Sequence, residues 1–368
     1  MFILYIKVFD LKLSEKMKIA VLVSGGVDSS VALQLLKNEG HELTAFYLKI
    51  WLEDELSFLG TCPWQEDLQY VEAVCSKLEV PLQIVSMQKE YWSRVVSYTI
   101  NQVKNGFTPN PDVLCNQQVK FGAFYDLIGD QFDKVATGHY AQVFEENGVF
   151  KLVQAPDPIK DQTYFLSHLS QAQLARALFP IGHLQKSEVR ELAQEYDLPN
   201  KIRKDSQGIC FLGKLKFDEF LRYHLGEKPG DLVEIETGTI MGGHKGFWYY
   251  TIGQRQGLRL AGGPWYVAAK DNESNIVYIS RSYYAPDKER NRCEVGYFNW
   301  ISGEQPSATN LTVKLRHGAH KHEAEVTFLD EKAAIVLKEH DQGIAPGQFA
   351  ALYDGDICLG SGIIQKMS

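Results

Sequence analysis

A strand, a loop of small residues and a helix follow one another without a break near the start of the chain. The apolar run Ile19–Val23 predicts a buried strand of a parallel sheet, and residues 30–38 place apolar side chains at helical spacing. Between them lies the loop 24–29, Ser-Gly-Gly-Val-Asp-Ser. Glycines let backbone N–H groups approach anionic oxygens, and the positive end of a helix dipole favours the same anion. This unit therefore predicts a phosphate site at the edge of an α/β sheet.

The loop has neither the Walker sequence G-x-x-x-x-G-K-[ST] nor the dinucleotide fingerprint G-x-G-x-x-G. It is similar to the pyrophosphate loop of N-type ATP pyrophosphatases, which split ATP into AMP and pyrophosphate and adenylate a substrate oxygen. The similarity implies that Asp28 serves the metal–pyrophosphate end of ATP. An ordinary glycine turn capped by serines is the alternative interpretation.

Strand and helix patterns alternate from Met17 to about Asp161, which predicts a doubly wound parallel sheet with ligands at the carboxyl ends of its strands. Short alternating segments after about Lys216, among them residues 246–252, predict a small β-rich region, and those after Asn291 predict a closing β-barrel. The expected divisions are an N-terminal extension at 1–16, a catalytic domain at 17–215, a central β-rich domain at 216–288 and a barrel domain at 289–368. In the first domain, strands are expected at Ile19–Val23, Leu43–Leu48, Leu82–Ser86 and Lys134–Ala136, and helices at Ser30–Asn38, Glu66–Leu78, Glu90–Lys104 and Gln117–Ile128.

Composition excludes several classes of protein. The net charge of −8 argues against a broadly basic nucleic-acid binder, so an RNA partner would meet a local basic patch. No apolar run approaches the ~18 residues of a transmembrane helix. None of the six cysteines forms a C-x-x-C pair, which argues against an iron–sulfur cluster, and six in 368 residues do not form a disulfide scaffold. We expect a cytoplasmic protein without a membrane partner, whose first sixteen residues are an extension or follow a misplaced start codon.

Two cysteines stand in unusual surroundings. Two prolines at 109 and 111 predict an extended segment that delivers Cys115 to the start of a helix, where the dipole would lower the pKa of the thiol. Three basic residues in the run 201–204 precede Cys210, which would favour a thiolate or persulfide anion. Structural burial of Cys115 and a solvated turn around Cys210 are the alternatives. His139, after the fourth strand, fits a ligand contact or a structural hydrogen bond equally well.

Taken in order, these motifs resemble one family, the bacterial tRNA-specific 2-thiouridylase MnmA (TrmU), from Met17 to about Gln365. The first motif alone is shared by many ATP pyrophosphatases, whereas the combination is specific. The matching segments are residues 24–29, 108–112 with 114–116, 136–140, 160–162 with 164–166, 204–206 with 208–211, 251–258, 264–267 and 346–348.

The resemblance implies an enzyme that uses ATP and Mg²⁺ to adenylate the C2 oxygen of the tRNA wobble uridine and then replaces that oxygen by sulfur. Cys210 would carry the persulfide, Cys115 would be the nucleophile that frees the sulfur, and a transient Cys115–Cys210 disulfide would need reduction. Asp28 is assigned to catalysis. A tRNA anticodon stem-loop and a sulfur donor, either a cysteine desulfurase or a relay protein, are the implied partners.

The resemblance also assigns binding residues. ATP is expected at Leu22, Val23, Ser24, Gly25, Gly26, Val27, Asp28, Ser29, Leu48 and Gly138. The flipped target base is expected beside Asn110, Pro111 and Asp112. Further tRNA contacts are expected from His139, Lys160, Asp161, Gln162, Arg316, His317 and Gln348. No metal is expected apart from the Mg²⁺ that accompanies ATP.

Three other functions share parts of this pattern. A synthetase acting on a small molecule would use the same loop but would need neither Cys115 nor Cys210. An iron–sulfur tRNA thiolase would need the missing C-x-x-C. A non-catalytic tRNA-binding protein with a relic fold would have no use for an intact loop and both cysteines.

Overall fold

The computed structural model describes residues 16–50, 64–205, 217–285 and 290–367. Cys210 and almost all of the expected N-terminal extension lie outside these ranges. The strands of the described chain are β1 (Lys18–Leu22), β2 (Glu42–Lys49), β3 (Leu82–Ser86), β4 (Lys134–Ala136), β5 (Ala141–Glu146), β6 (Val149–Gln154), β7 (Ala177–Leu178), β8 (Gly230–Glu234), β9 (Ile240–His244), β10 (Tyr266–Asp271), β11 (Ile276–Ser280), β12 (Arg292–Trp300), β13 (Asn310–Lys314), β14 (His322–Leu329), β15 (Lys332–Leu337), β16 (Phe349–Asp354) and β17 (Ile357–Met367).

The α-helices of the same ranges are α1 (Val27–Asn38), α2 (Trp64–Lys77), α3 (Gln88–Tyr91), α4 (Ser97–Lys104), α5 (Pro111–Leu114), α6 (Phe124–Ile128), α7 (Thr163–Leu166), α8 (Gln171–Arg176), α9 (Lys186–Glu195) and α10 (Phe217–Leu225). A π-helical segment, Trp92–Val96, joins α3 to α4, and another, Cys115–Ala123, joins α5 to α6. Among the described helices, none combines the length and apolar character needed to cross a membrane.

The first part of the chain forms a parallel sheet in the order β3-β2-β1-β4-β7. Side chains of β1 alternate between two cores. Ile19 and Val21 pack with α1, whereas Ala20 and Leu22 pack on the other face with the helical segments between residues 88 and 128. Burial on both faces explains the continuous apolar run of this strand. The predicted doubly wound sheet is confirmed, and β3 and β4 have the predicted bounds.

The last part of the chain closes into a barrel. Strands follow the order β12-β15-β14-β13-β16-β17, and β17 pairs back onto β12. The predicted C-terminal barrel is therefore confirmed. A hairpin from the first part of the chain, β5–β6, extends its sheet, because Leu152 and Val153 pair with Cys358 and Ile357 of β17. This hairpin was not anticipated from the sequence.

A third, smaller sheet in the order β10-β11-β8-β9 lies between these two parts in sequence. The alternating segment 246–252, expected to be extended, instead forms a 3-10 turn at Phe247–Tyr249, which buries Phe247 with Trp265 in the core of this sheet. Phe220 of α10 packs in the core beneath the parallel sheet, although residue 216 was the expected boundary. The domain bounds stay predictions.

The helix that carries Cys115 begins earlier than expected. Asn110 caps it by accepting hydrogen bonds from the N–H groups of Asp112 (3.1 Å) and Val113 (3.4 Å), and Pro111 occupies the first helical position. Proline is tolerated there because the first N–H of a helix has no intrahelical partner. The predicted extended segment up to Cys115 is therefore wrong, and α5 starts at Pro111.

Candidate functional site

The Ser-Gly-Gly-Val-Asp-Ser loop lies at the carboxyl edge of the parallel sheet, where the fold places ligands. Gly26 caps α1, which begins at Val27, three residues before the predicted start. In the parallel register Leu22, the last residue of β1, pairs with Phe46, so Leu48 lies two residues beyond the end of β1 on the neighbouring strand. Gly138 follows β4 at the same edge. The predicted ATP residues 22–29, Leu48 and Gly138 therefore come together.

Hydrogen bonds within the loop fix its backbone. The Ser24 N–H donates to Ser29 Oγ (3.2 Å), and the Ser29 hydroxyl donates to the carbonyl of Gly26 (3.1 Å). Asn200 is fully buried, and its amide donates to the carbonyl of Gly25 (2.8 Å) and to Ser30 Oγ (2.9 Å). Gly25 has a φ of +74°, and a Cβ there would lie 2.6 Å from the carbonyl oxygen of Asp67. The serines thus hold the loop rather than merely ending a turn.

Gly138 lies against the start of α1. A Cβ at this position would lie 2.6 Å from the backbone nitrogen of Ser29 and 2.9 Å from the carbonyl carbon of Asp28. Contacts below 3 Å with backbone cannot be relieved by turning a side chain. Gly138 therefore allows the fourth strand to close against the phosphate loop.

Asp28 is held by two side chains from distant parts of the chain. The Tyr140 hydroxyl donates to its Oδ1 (2.9 Å), and the Lys186 ammonium contacts Oδ1 (2.7 Å) and Oδ2 (3.0 Å). Lys186 also contacts Asp205 Oδ1 (2.8 Å). One ammonium thus bridges the phosphate loop to the residue five positions before Cys210.

The Asp205 carboxylate pairs with two further basic side chains. Lys160 donates to its Oδ2 (2.7 Å), and Arg190 makes a short hydrogen bond to Oδ1. Burial alone would raise the pKa of Asp205, but the hydrogen bonds and charges of Lys160 and Lys186 outweigh it and hold that pKa well below its usual range. The carboxylate therefore stays ionised and anchors the start of the segment that carries Cys210.

The basic run before Cys210 is partly neutralised. Arg203 pairs with Asp67, and Lys201 pairs with Asp197. Two of the three charges expected to favour an anion at Cys210 are thus already engaged. The expected role of Cys210 falls outside the described residues.

Cys115 is buried, with 1% of its surface exposed. It follows α5, one turn beyond the cap at Asn110. Burial raises the pKa of the Cys115 thiol to about 11, against the opposing effect of Lys120. The expected lowering of the pKa is therefore wrong, because Cys115 lies one turn inside the helix and the desolvation of its thiolate outweighs the charge of Lys120.

The expected target-base segment and the barrel meet around α7. Gln348 donates to the carbonyl of Thr108 (2.8 Å), next to Pro109 and Asn110, and accepts from the Tyr164 hydroxyl (3.4 Å). The His317 ring stacks on Phe165 with centroids 4.7 Å apart. Residues from three sequence motifs thus line one region. Arg316 sits beside it, with its guanidinium on both oxygens of Asp341 (2.9 and 2.8 Å).

Asp161 and Gln162, in the motif 160–162, lie in different environments. Asp161 is buried, and its Oδ2 accepts from the ammonium of Lys314 in the barrel (2.7 Å). Gln162 is half-buried and accepts from the Tyr140 N–H (3.0 Å). Asp161 is thus occupied within the fold, and the expected tRNA contacts of this motif stay predictions.

His139 packs against the rings of Phe121 and Phe179, which also contact each other, and its Nδ1 is 2.7 Å from Thr137 Oγ1. Burial and the charge of Lys120 hold the pKa of His139 well below its usual value. Its imidazole is therefore neutral near pH 7, so it is not a cationic partner for phosphate.

Sequence reasoning missed three residues of this site: Tyr140, Lys186 and Asn200. Tyr140 belongs to the matched segment 136–140, which was the available signal. Lys186 begins an amphipathic helix 158 residues after Asp28, and Asn200 lies within the turn 199–202. Neither has a local pattern that indicates its partner, because both act through tertiary contacts.

Known families match the chain in three consecutive parts. The tRNA methyl transferase HUP domain matches residues 17–214, the tRNA methyl transferase PRC-barrel domain matches 218–281, and the aminomethyltransferase beta-barrel domain matches 290–364. Together these cover most of the sequence.

Three curated proteins named tRNA-specific 2-thiouridylase MnmA are similar over nearly the whole chain. That of Parabacteroides distasonis is 46% identical over 354 residues, covering 95% of this chain and 99% of its own length. That of Porphyromonas gingivalis is 45% identical over 361 residues, with coverage of 95% and 99%. MnmA 1 of Bacteroides thetaiotaomicron is 44% identical over 358 residues, with coverage of 95% and 100%.

Proposed function

Because this chain belongs to the tRNA-specific 2-thiouridylase family, we propose that it is a tRNA-uridine 2-sulfurtransferase acting on the wobble uridine. The observation that carries this proposal is the bridge Asp28–Lys186–Asp205, which ties the phosphate loop to the segment leading to Cys210. A shared cation pairs Asp28 of the loop with Asp205, which lies five positions before Cys210 in the sequence. A small-molecule synthetase would use the loop without needing that connection.

ATP is proposed to bind at residues 22–29 with Leu48 and Gly138. The start of α1 and the serine hydroxyls suit the phosphates. Asp28 is the carboxylate that would meet Mg²⁺, while Lys186 would stay paired with Asp205 beside it. The C2 oxygen of uridine attacks the α-phosphorus, pyrophosphate leaves, and C2 carries AMP as a leaving group.

Sulfur transfer is proposed to use both cysteines. The terminal sulfur of a Cys210 persulfide attacks C2, and AMP departs. The Cys115 thiolate then attacks the Cys210 sulfur and breaks the sulfur–sulfur bond, which leaves sulfur on C2 and a Cys115–Cys210 disulfide. A thiol reductant must supply two electrons before the next turnover. Since burial raises the pKa of the Cys115 thiol to about 11, a base must take its proton before the thiolate attacks.

The target base is proposed to lie beside Asn110, Pro111 and Asp112, where the barrel contributes His317 and Gln348. The imidazole ring of His317, stacked on Phe165, offers a flat surface of the kind that flipped bases contact. Arg316, with 55% of its side chain exposed, is placed to contact phosphate. His139, Lys160 and Gln162 are proposed as further tRNA contacts, whereas Asp161 would position Lys314.

The sulfur donor is proposed to be a cysteine desulfurase or a relay protein that charges Cys210 with persulfide sulfur. The proposed location is the cytoplasm, where tRNA, ATP and reduced thiols are available together.

The test is a thiolation assay with purified protein, ATP, Mg²⁺, a cysteine desulfurase with cysteine, a thiol reductant and unmodified tRNA. Digested tRNA is analysed for 2-thiouridine by mass spectrometry, and AMP is measured in parallel. We expect product from the parent and from Cys75→Ser, a buried cysteine in the other core, and no product from Cys115→Ser or Cys210→Ser. Product that survives both substitutions would refute the sulfur path. AMP formed only with a small-molecule acceptor would refute the function.

A further inference from the structure

Two turns of the barrel bring together three side chains that can bind a metal. His320 and His322 stand before and at the start of β14, and Glu339 follows β15. His320 Nε2 lies 3.2 Å from His322 Nδ1 and 3.8 Å from Glu339 Oε2. The three candidate ligand atoms all lie within 4.8 Å of one another. The proposed sulfur chemistry uses none of these residues.

A carboxylate orients the buried member of the cluster. His322 is 5% exposed, and its Nε2 is 2.8 Å from Asp341 Oδ2. Asp341 is itself held by Arg316 and by the N–H of Gly343 (2.6 Å). A proton on Nε2 directed at this carboxylate leaves the lone pair of Nδ1 pointing to His320. Metal-binding histidines are commonly held by such a carboxylate through their other ring nitrogen.

The spacing fits a small tetrahedral ion. Zinc bonds of about 2.0–2.1 Å to histidine nitrogen and carboxylate oxygen place neighbouring tetrahedral ligands about 3.4 Å apart. The two separations from His320, 3.2 and 3.8 Å, lie on either side of that value, and His322 and Glu339 lie within 4.8 Å of each other, so a small shift of the exposed Glu339 side chain completes the site. Two imidazoles with one carboxylate are a zinc donor set, whereas Mg²⁺ and Ca²⁺ prefer oxygen ligands alone.

We propose that His320 Nε2, His322 Nδ1 and a carboxylate oxygen of Glu339 bind one Zn²⁺ ion. A cavity of about 130 Å³, lined by residues 315–320 with His322 and Asp341, adjoins the cluster and has room for a water molecule as the fourth ligand. The ion would join the turn after β13 to the turn after β15. It would thereby fix the segment that carries Arg316 and His317, since Arg316 shares Asp341 with His322.

The test titrates the metal-free full chain with Zn²⁺ against a chromophoric chelator, and with Co²⁺ by visible spectroscopy. We expect the parent to bind one Zn²⁺ that His320→Ala binds at least 100-fold more weakly and Glu339→Gln about 10-fold more weakly. Both residues are exposed, so these variants should fold. His340→Ala, which changes a histidine of the same turn outside the cluster, is the matched control and should stay within threefold of the parent.

Cobalt distinguishes this site from the cysteines. The proposed site should give the d–d bands of four-coordinate Co²⁺ without the near-ultraviolet thiolate band, and these bands should disappear in His320→Ala. Hydrogen exchange of residues 315–322 should slow when Zn²⁺ is added to the parent and not to His320→Ala. Parent binding that His320→Ala and Glu339→Gln leave unchanged, or no stoichiometric binding, would overturn the proposal. The cluster would then be a hydrogen-bonded pair of histidines.

Discussion

The Lys314 ammonium in the barrel donates to the Asp161 carboxylate over 2.7 Å, and each side chain is only 1% exposed. Asp161 also accepts hydrogen bonds from Gln154, from the Ala155 N–H and from Thr163, so its carboxylate is well satisfied. This ion pair joins the barrel to the motif 160–162. A buried pair is fragile to the loss of one partner, because the remaining charge stays desolvated.

Replacing Lys314 by Met should therefore lower the free energy of unfolding by about 3–5 kcal/mol, measured by urea denaturation. Lys332→Met removes an exposed pair with Glu294 in the same barrel and should cost less than about 1 kcal/mol. Equal stability of Lys314→Met and the parent would show that the pair contributes little.

Lys186→Met should reduce tRNA-dependent AMP formation by at least about 100-fold, because Asp28 and Asp205 would lose the cation between them. Lys186→Arg keeps the charge and should retain part of the rate. Lys332→Met, which removes a surface cation paired with Glu294 in the barrel, is the control and should match the parent. AMP formation by Lys186→Met at the parental rate would show that Lys186 has no role in the activation of the uridine oxygen.

Gly138→Ala should raise the KM for ATP at least about tenfold and destabilise the protein by about 1–3 kcal/mol, because the new methyl group overlaps the Ser29 backbone. Gly243→Ala is a suitable control, since its Cβ would meet its nearest neighbour at 3.4 Å. The prediction fails if both variants have the ATP kinetics of the parent.

The reactivity of the Cys115 thiol should increase with pH well into the alkaline range. With a pKa of about 11, the native thiol is protonated at pH 7, and its alkylation by iodoacetamide should keep accelerating above pH 9. In urea the same cysteine should titrate near pH 8.5, the value of a solvated thiol. Rates are read at Cys115 by peptide mass spectrometry. A native rate that levels off below pH 9 would contradict the effect of burial.

Local patterns sufficed for the elements that a short apolar segment and the turn residues around it mark in the sequence, even where the pairing strand is distant in sequence, as β1 is for β4. The β1–loop–α1 unit and the strands at 82–86 and 134–136 are each predicted by apolar residues between turn residues. The expected strand at 246–252 failed because aromatic residues that alternate also suit a tight turn around one buried ring, here Phe247. Pro111 misled in the same way, since proline breaks a helix everywhere except in its first turn.

Prediction of the candidate site from sequence meets the same limit. The position of loop 24–29 and of Gly138 at the carboxyl edge of the sheet could be predicted, because strand ends and small residues mark them in sequence, whereas the role of Asp28 stays a prediction that rests on the family resemblance. Lys186 and Asn200 could not be predicted, since a lysine on a surface-like helix and an asparagine in a turn are ordinary until the fold brings them to Asp28 and Gly25. The protonated state of Cys115 depended on how deeply the helices bury it, which periodicity does not report.

The hairpin β5–β6 has a consequence for synthesis on the ribosome. Its second strand, β6, pairs with β17, so Val153 gains its partner Ile357 only about 200 residues later in translation. Until then a growing chain presents an unpaired strand edge, which other chains can extend. Contacts of such long sequence separation also form slowly. The step at which nascent chains are most exposed to aggregation, and at which a chaperone would help most, is therefore the interval between emergence of the hairpin and arrival of the barrel's last strand.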